Sequence, residues 1–356
     1  MSAVRLEPYP GERPASRADH IRAQWHDGRL LVGLGVFGLG VALPEAIRWL
    51  AGVDGRILAF PVLVAVGAGA VLWGLYKRRA VSRYAQAAIA VAAFDQAGPI
   101  GGEEQFERAV AHGRRTHELT FAVSADLSGG AADVPVVEEL ARCAQRAIGL
   151  AERFMPGSQQ LDLIPTMRLH VGFWFGAHFR RSQATPIVLW QPTKNGDGYA
   201  YYPTVMLSLP APLGGVAGRV DPPFVPSVEP LTDRAPARVG LAVSVRRRDA
   251  ASEERIRAKC RDIEVDQLLW LRSMSNNGLS PDTETFTAAL DQVEREWVDR
   301  LPATATSYVA FLDTTVTLAI GIGARLADTG PVDWVAYTKD RTGAGLVRFP
   351  PARAGS

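Results

Sequence analysis

Arginine and hydroxyl side chains follow the apolar run RVGLAVSV, at the point where a strand would end. Ser244 stands near the end of this run, and Arg246, Arg247 and Arg248 come directly after it. The planar guanidinium group of arginine fits phosphate oxygens through paired hydrogen bonds. A run of charges is also typical of a solvated surface loop, so phosphate binding and a basic loop both remain open.

Two further apolar runs, YVAFL and VDWVAYT, end in polar residues. Asp313, Thr314 and Thr315 follow the first run and precede a predicted helix, so they are either a helix cap or hydroxyl contacts to ribose or phosphate. Tyr337 and Lys339 end the second run, where a cation would neutralise a phosphate group. Packing and ligand binding are equally good interpretations of this pair.

Aromatic residues form the third candidate group. Trp174, Phe175 and Gly176 follow the predicted strand MRLHVGF and lead into a predicted helix, 176–183, that carries Arg180. Aromatic rings stack on nucleobases. The rings of Trp174 and Phe175 are equally well explained as core residues.

Signatures of catalysis and metal binding are missing from the sequence. No nucleophile elbow, HExxH, P-loop or paired-carboxylate motif occurs. His112 and His117 have no neighbouring carboxylate or cysteine in a ligand pattern, and His170 lies in a predicted strand, where a core histidine is expected. We therefore predict no catalytic residue, no metal and no cofactor.

Composition bounds the class of protein. The chain has 356 residues, of which 47% are hydrophobic and 21% charged, so it can bury one large core or two ordinary ones. A formal net charge of +2 does not predict binding to a DNA or RNA polymer. The two cysteines cannot form a disulfide framework.

Two apolar segments near the N-terminus predict a membrane hairpin. Residues 57–76 contain no charge or histidine, and twenty helical residues span about 30 Å, the thickness of the hydrocarbon core. Residues 30–51 form the second candidate span. Gly33, Gly35 and Gly38 spell GxGxxG there, but helix packing in lipid explains them better than a dinucleotide site does.

Basic residues predict how this hairpin is oriented. The tail 1–29 carries five arginines, and Lys77-Arg78-Arg79 follows the second span, whereas the connection between the spans offers two arginines. The positive-inside rule places both termini and everything from residue 77 onwards in the cytoplasm of a multi-pass membrane protein. Residues 77–118 are expected to form a juxtamembrane helix, which prolongs the second span over 80–94, and a linker.

Strands and helices alternate in the rest of the chain, which predicts an α/β fold of two units with largely parallel sheets. The glycines of GIGARL, Gly321 and Gly323, fit close packing of a helix on a sheet. The predicted strands are 119–125, 167–173, 187–190, 199–209, 238–245, 308–312, 332–338 and 346–349. The predicted helices are 134–154, 176–183, 252–274, 282–300 and 316–327.

Four blocks in this order resemble a known family: MRLHVGFWFGAHFRRSQATPIVLWQ, VGLAVSVRRRDA, SYVAFLDTTVTLAIGIGARLAD and PVDWVAYTKD. Their succession resembles the SAVED domain, a fused pair of Rossmann-like (CARF-like) units from bacterial CBASS antiphage systems. The resemblance covers 119–350, with 119–209 as the first CARF-like half and 238–350 as the second. Family members tend to carry a small residue, a spacer and a proline where this chain has Asp313-Thr314-Thr315.

With two spans in front, the chain resembles the two-transmembrane SAVED effectors. The resemblance implies a sensor and not an enzyme: a cyclic di- or trinucleotide activates the domain, which self-associates into a homo-oligomer. The hairpins then disrupt the bacterial inner membrane, and the infected cell dies. Two other classes stay open, namely a membrane-tethered α/β enzyme that degrades or transfers a nucleotide, and a scaffold without a small ligand.

Overall fold

Twelve strands in two sheets, with six helices, make up the described part of the chain. The computed structural model describes residues 4–11, 87–95, 102–128, 133–155, 160–179, 186–195, 198–207, 222–246, 250–327, 334–340 and 345–350. These residues belong to one compact unit, which comprises Met1–Gly11, Gln86–Pro156 and Gln160–Ser356. The second unit, Glu12–Ala85 with Gly157–Gln159, lies outside the described residues.

The first half of the chain builds a six-stranded sheet in the order β1-β3-β2-β4-β5-β6. The four inner strands are parallel, and the two outer strands β1 and β6 run antiparallel to their neighbours. Its strands are β1 (Arg5–Pro10), β2 (Ala87–Asp95), β3 (Leu119–Leu127), β4 (Leu161–Thr166), β5 (Ile187–Asn195) and β6 (Gly198–Leu207). Its helices are α1 (Gly102–Thr116), α2 (Asp133–Phe154) and α3 (Leu169–Phe179).

The second half repeats this arrangement in the order β12-β11-β10-β8-β9-β7. Again four parallel strands are flanked by two antiparallel ones. Its strands are β7 (Val225–Pro230), β8 (Arg238–Ser244), β9 (Gln267–Arg272), β10 (Ser307–Asp313), β11 (Trp334–Lys339) and β12 (Leu346–Phe349). Its helices are α4 (Ala250–Asp262), α5 (Thr283–Arg300) and α6 (Val316–Leu326).

The two halves therefore share one topology, strand for strand. This confirms the predicted α/β fold, in which each half has a mainly parallel sheet. In each half the first parallel strand lies between the second and the third, so the chain reverses its direction of winding between β2 and β4, and again between β8 and β10. Such reversals open a crevice at the carboxyl ends of the two strands, where doubly wound folds bind ligands.

Four helices fill the space between the sheets and form one shared core. α2, α3, α5 and α6 contribute to the same cluster of buried side chains as the inner faces of both sheets. α1 covers the outer face of the first sheet, and α4 that of the second. The two halves are thus a single folding unit in which neither half has a complete core of its own.

The third helix of each half packs on the sheet of the other half. In α3, the Trp174 indole N–H donates to the Phe349 carbonyl of β12 at 3.1 Å. In α6, the Thr317 hydroxyl donates to the Gln191 side-chain oxygen of β5 at 3.2 Å. This exchange ties each half to the opposite sheet, in addition to the contact between the helices themselves.

Glycines let α3 and α6 approach until their backbones touch. A Cβ atom added at Gly176 would lie 2.1 Å from the Ile320 carbonyl oxygen, and one at Gly323 would lie 1.9 Å from the Phe173 carbonyl oxygen. The glycine in the first turn of α3, Gly172, lies against Val316 at the start of α6, so the helices run parallel. Their N-termini therefore lie side by side, and the carboxyl ends of both sheets point the same way.

The prediction for Gly321 and Gly323 is partly wrong. Gly323 packs against the backbone of α3, so this contact joins a helix to a helix and not a helix to a sheet. Gly321 lies near Val205 of β6 and also near Leu290 of α5. The sequence pattern identified a close approach but not its partner.

Alanine-rich strand β2 overturns the predicted juxtamembrane helix. Residues 87–95 form the centre of the first sheet, and Ala87 to Ala92 are completely buried. Residues 102–116, placed in the linker, form α1. The first sheet therefore begins well before the predicted boundary at residue 119, and it also includes β1 from the predicted N-terminal tail.

Three further elements differ from their predictions. The block 167–173, predicted as a strand, begins helix α3, and the strand of that region is β4, at 161–166. The predicted helix 252–274 ends at Asp262 and is followed by strand β9. Between the two predicted halves, 119–209 and 238–350, residues 225–230 form the outer strand β7.

Neither predicted membrane span can be compared with the structure, because 30–51 and 57–76 lie outside the described residues. Among the residues that are described, no helix is both long enough and apolar enough to cross a bilayer.

Candidate functional site

The candidate site lies at the carboxyl ends of the parallel strands, around the adjacent N-termini of α3 and α6. We call it the carboxyl-end face. Backbone N–H groups in the first turn of a helix have no partners within the helix and carry partial positive charge. Two such termini side by side provide an environment that favours an anion with more than one phosphate.

In the second half, the reversal point between β8 and β10 holds five of the predicted site residues, namely Ser244, Arg246, Asp313, Thr314 and Thr315. Ser244 pairs in register with Asp313, and the Val245 amide donates to the Asp313 carbonyl at 3.1 Å. The Ser244 side chain is buried and donates to the Arg246 carbonyl at 2.6 Å. The Arg246 side chain is exposed and therefore faces solvent.

Asp313, Thr314 and Thr315 connect β10 to α6, as predicted. Thr315 is the N-cap of α6, and its hydroxyl accepts from the Leu318 amide at 3.3 Å. The Thr314 hydroxyl is buried and finds no hydrogen-bond partner among the described residues. The cap interpretation of Thr315 is confirmed, and Thr314 keeps an unused donor beside the helix terminus.

Lys339, at the end of β11, reaches across to β10. Its amino group lies 3.2 Å from a carboxylate oxygen of Asp313, and its side chain is 39% exposed. Tyr337 is buried on the outer face of the sheet, where its ring stacks on Phe311 at 5.3 Å between centroids. The structure therefore brings Lys339 to the carboxyl-end face but places Tyr337 in the core under α4.

In the first half, the reversal point between β2 and β4 holds an ion pair that the sequence interpretation missed. The Arg168 guanidinium lies 3.3 Å from the Asp95 carboxylate, and both side chains are only 12% exposed. Asp95 ends β2 and Arg168 precedes α3. The sequence carries the signal as a charged residue close to the end of each strand, with Asp95 as the last residue of β2 and Arg168 two residues after β4, but neither strand is predicted from the sequence.

The aromatic candidates lie inside the fold. Trp174, Phe175 and Gly176 are in the middle of α3, one to two turns from its N-terminus, and all three are buried. Trp174 keeps 8% of its surface exposed and Phe175 none. Their predicted position after a strand is wrong, because the chain is helical there. Arg180 and Arg247 lie outside the described residues.

A buried histidine accompanies the N-terminus of α3. His170 is 2% exposed, and its Nδ1 atom has no hydrogen-bond partner among the described residues. Burial, together with the charge of Arg168, lowers the pKa of His170 to about 3, so the ring is neutral. The predicted core location is confirmed, although in a helix and not in a strand.

The two other histidines of the sequence argument have structural neighbours. His117 is buried and lies 2.9 Å from a carboxylate oxygen of Asp162, at the amino end of the first sheet. The His112 ring stacks on Tyr201 at 4.4 Å between centroids, and burial lowers the pKa of His112 to about 4. Within the described ranges, no group of three or more potential ligands could hold a metal ion.

A cavity of about 410 Å³ lies at the opposite end of the second sheet, between Thr232, Arg234, Arg261 and Glu264. Its two arginines are engaged in ion pairs, Arg234 with Asp266 and Arg261 with Glu254. None of the predicted site residues lines it. A second, smaller pocket lies at the carboxyl ends of the strands and is lined by three predicted site residues, Asp313, Tyr337 and Lys339, together with residues of α4.

Comparison with known proteins finds similarity to solved structures only. No protein-family model and no curated protein matches the chain. The Acinetobacter baumannii Cap4 SAVED/CARF-domain containing receptor with the cyclic trinucleotide 2'3'3'-cAAA is similar at 12% identity and a TM-score of 0.44, over 80% of this chain and 55% of that chain. The same receptor with 3'3'3'-cAAA gives 10% identity and a TM-score of 0.45, with the same two coverages.

The Cap4 SAVED/CARF-domain containing receptor of Moraxella osloensis is similar at 10% identity and a TM-score of 0.41, over 80% of this chain and 53% of that chain. The chain thus spans about half the length of the receptors to which it is similar.

Proposed function

We propose that this chain is a receptor for a cyclic di- or trinucleotide, which binds at the carboxyl-end face. One observation carries the proposal. The parallel contact of α3 and α6 brings the reversal points of two topologically identical halves to one face, with two helix N-termini between them. A ring-shaped ligand with repeated phosphates matches a site whose anion-binding elements are themselves repeated.

The side chains around this face support the same ligand class. Arg246 is exposed, and Lys339 and Arg168 are each held by a carboxylate at a reversal point. Cations supply charge for phosphates, and the carboxylates of Asp95 and Asp313 are acceptors for ribose hydroxyls or base amino groups. The sequence blocks that resemble the SAVED domain contribute Arg246, Asp313 and Lys339 to this arrangement.

The second part of the proposal concerns the effector. The charge-free segment 57–76 and the apolar segment 30–51 predict a hairpin in the inner membrane, with the receptor part in the cytoplasm. We propose that ligand binding makes copies of the chain associate, which concentrates the hairpins and breaches the bilayer. In this proposal the chain is a multi-pass membrane protein that recognises its ligand without converting it.

Binding by the purified full chain tests the receptor function. The cyclic trinucleotides named for the similar structures are the first probes, and a panel of cyclic dinucleotides follows. Loss of a hydrogen bond between an arginine and a phosphate costs about 1.5–3 kcal/mol, so Arg246→Ala should weaken binding about 10- to 100-fold. The matched control is Arg295→Ala, an exposed arginine in the last turns of α5, the helix that leads to the amino end of β10.

Recovery of the ligand separates the receptor from an enzyme. A receptor returns the cyclic nucleotide intact after prolonged incubation, whereas an enzyme that degrades or transfers it releases a linear or transferred product. The absence of binding to every member of the panel would contradict the receptor and favour a scaffold. Leakage of vesicles that needs no nucleotide would contradict ligand-controlled membrane disruption.

A further inference from the structure

The chain leaves the first sheet and returns to it at the amino end of the sheet. Strand β1 ends at Pro10, which pairs in register with Leu119 at the start of β3. Strand β2 begins at Ala87, which pairs with the same residue from the other side of β3. Because neighbouring strands lie about 4.8 Å apart, Pro10 and Ala87 are about 10 Å apart at the amino end of this sheet. The segment 12–86 therefore starts and ends at nearly the same place.

Specific contacts hold the first of these two points. The Gly11 amide donates to the Glu118 carbonyl at 3.0 Å, and a Cβ atom at Gly11 would lie 2.5 Å from the His117 carbonyl oxygen, so a side chain does not fit there. Leu6 packs against the main core, and the Arg114 guanidinium lies 5.7 Å from the centre of the Tyr9 ring. β1 is thus an integral strand of the sheet.

The sequence of β1 is that of a permanent edge. Pro8 and Pro10 lack the N–H group that a further strand would need, and both are exposed. An edge of this kind blocks strand addition by another chain while it pairs with β3 on its inner side. These properties suit a strand whose task is to anchor the chain and not to recruit a partner.

The amino end of the first sheet, where Pro10 and Ala87 lie, is the end farthest from the candidate ligand site. Strand β3 has nine residues, so its two ends lie about 26 Å apart. The ten residues 77–86 reach at most about 36 Å when fully extended. A linker from the second predicted span that had to bring the carboxyl-end face to the bilayer would use most of that reach merely to pass along the sheet.

We propose that the amino end of the first sheet is the surface that faces the lipid bilayer, with the chain anchored there on both sides of β3. The inference rests on the membrane hairpin of the proposed function. Anchors about 10 Å apart require both ends of 12–86 to be on one side of the membrane, so only an even number of crossings is compatible with the fold. The carboxyl-end face then points away from the lipid and is open to a soluble ligand.

Quenching from the lipid surface tests the orientation. A fluorophore is attached to Glu118→Cys or to Asp126→Cys, two exposed acidic positions at opposite ends of β3, in the full chain. The native Cys143 and Cys260 are buried. In phosphatidylethanolamine–phosphatidylglycerol vesicles with a nitroxide on the lipid headgroup, we expect at least twofold stronger quenching at position 118. Equal quenching, or stronger quenching at position 126, would overturn the inference.

Cross-linking tests the anchor independently of the membrane. Arg5 pairs in register with Ser124, so Arg5→Cys/Ser124→Cys should form a disulfide in the folded full chain. The control Arg5→Cys/Asp126→Cys is two residues out of register, and its Cα atoms are too far apart to bridge. Failure of the first pair, or equal yield in the control, would refute the anchoring role of β1.

The two proposals fail in different ways. A chain that does not float with the vesicles contradicts the membrane hairpin itself, even if the disulfide forms. It then also contradicts the proposal that the amino end of the first sheet faces the bilayer. A chain that floats but shows the reverse order of quenching contradicts the orientation alone. Floating, the expected order and the in-register disulfide together support both.

Discussion

Two identical substitutions in two helices should change stability in opposite directions. Gly323 lies in α6 with its backbone against α3, and an added Cβ atom would lie 1.9 Å from the Phe173 carbonyl oxygen. Gly149 is exposed inside α2, five residues before the helix ends, and an added Cβ atom there would have no neighbour within 4 Å. Replacement of either glycine by alanine therefore isolates the effect of the contact between the helices.

The magnitudes follow from the geometry. Cβ atoms are essentially never found within 3.0 Å of such an oxygen, so Gly323→Ala forces α3 and α6 apart by about 1 Å. Overpacking of a core costs about 1–3 kcal/mol, and a contact between two backbones belongs at the upper end. The gain in helix propensity from glycine to alanine is about 1 kcal/mol. The net effect is a loss of about 2 kcal/mol for Gly323→Ala and a gain of up to about 1 kcal/mol for Gly149→Ala.

Thermal unfolding of the full chain, followed by tryptophan fluorescence, measures both variants. For a domain of this size we expect Gly323→Ala to lower the Tm by about 4–8 °C and Gly149→Ala to raise it by about 2–4 °C. Gly176→Ala should behave like Gly323→Ala, because its added Cβ atom would also meet a carbonyl oxygen. If Gly323→Ala stabilises the chain as Gly149→Ala does, the close parallel packing of α3 and α6 is wrong.

Three further predictions concern individual side chains. Burial alone would raise the pKa of Asp266, but hydrogen bonds from backbone amides, an arginine and a threonine outweigh it and lower the pKa to about 2. The pKa of Asp266 in the folded chain lies below the unfolded value of about 3.9, so its contribution of about 2 kcal/mol to stability is present above pH 4 and lost as the pH falls towards 2. In acid unfolding, Asp266→Asn should therefore remove the loss of stability between pH 4 and pH 2, and Asp233→Asn should keep it. Trp174→Phe removes the hydrogen bond to Phe349 and should lower the free energy of unfolding by about 1–3 kcal/mol in urea titrations, whereas an unchanged value would contradict its core location. Thr315→Val removes the cap of α6 and should cost about 1 kcal/mol in the same titrations, a loss that Thr315→Ser should largely avoid.

Strands with ordinary signals could be predicted from the sequence. β8, β10 and β11 are short apolar runs bounded by polar residues, and each lies where its run predicts it. For this reason Arg246, Asp313, Thr315 and Lys339 were correctly expected at strand ends or a helix start. The predicted helix 282–300 is confirmed as α5, and its first residue, Asp282, is the N-cap that accepts from the Thr285 amide at 2.7 Å.

Elements buried on all sides were misread, because burial removes the periodic pattern on which prediction depends. β2 is rich in alanine, a helix-favouring residue, yet it is the central strand of the first sheet, where helices cover both of its faces. α3 is apolar all round because it lies between two sheets and against α6, so it resembled a buried strand.

These two errors concealed half of the candidate site. Without β2 and β4, the ion pair between Asp95 and Arg168 could not be placed at a reversal point, and base stacking and core packing stayed equally open for Trp174. The exchange of α3 and α6 between the sheets depends on contacts distant in sequence. No local pattern reports such contacts.

Binding of a cyclic nucleotide to the full chain, measured by equilibrium dialysis with Arg246→Ala and Arg295→Ala beside the unaltered protein, tests the central claim most directly. The account predicts that at least one cyclic di- or trinucleotide binds, that it is recovered intact, and that only Arg246→Ala weakens its binding by tenfold or more. Equal affinity in all three proteins, or no binding across the panel, would contradict a receptor site at the carboxyl-end face.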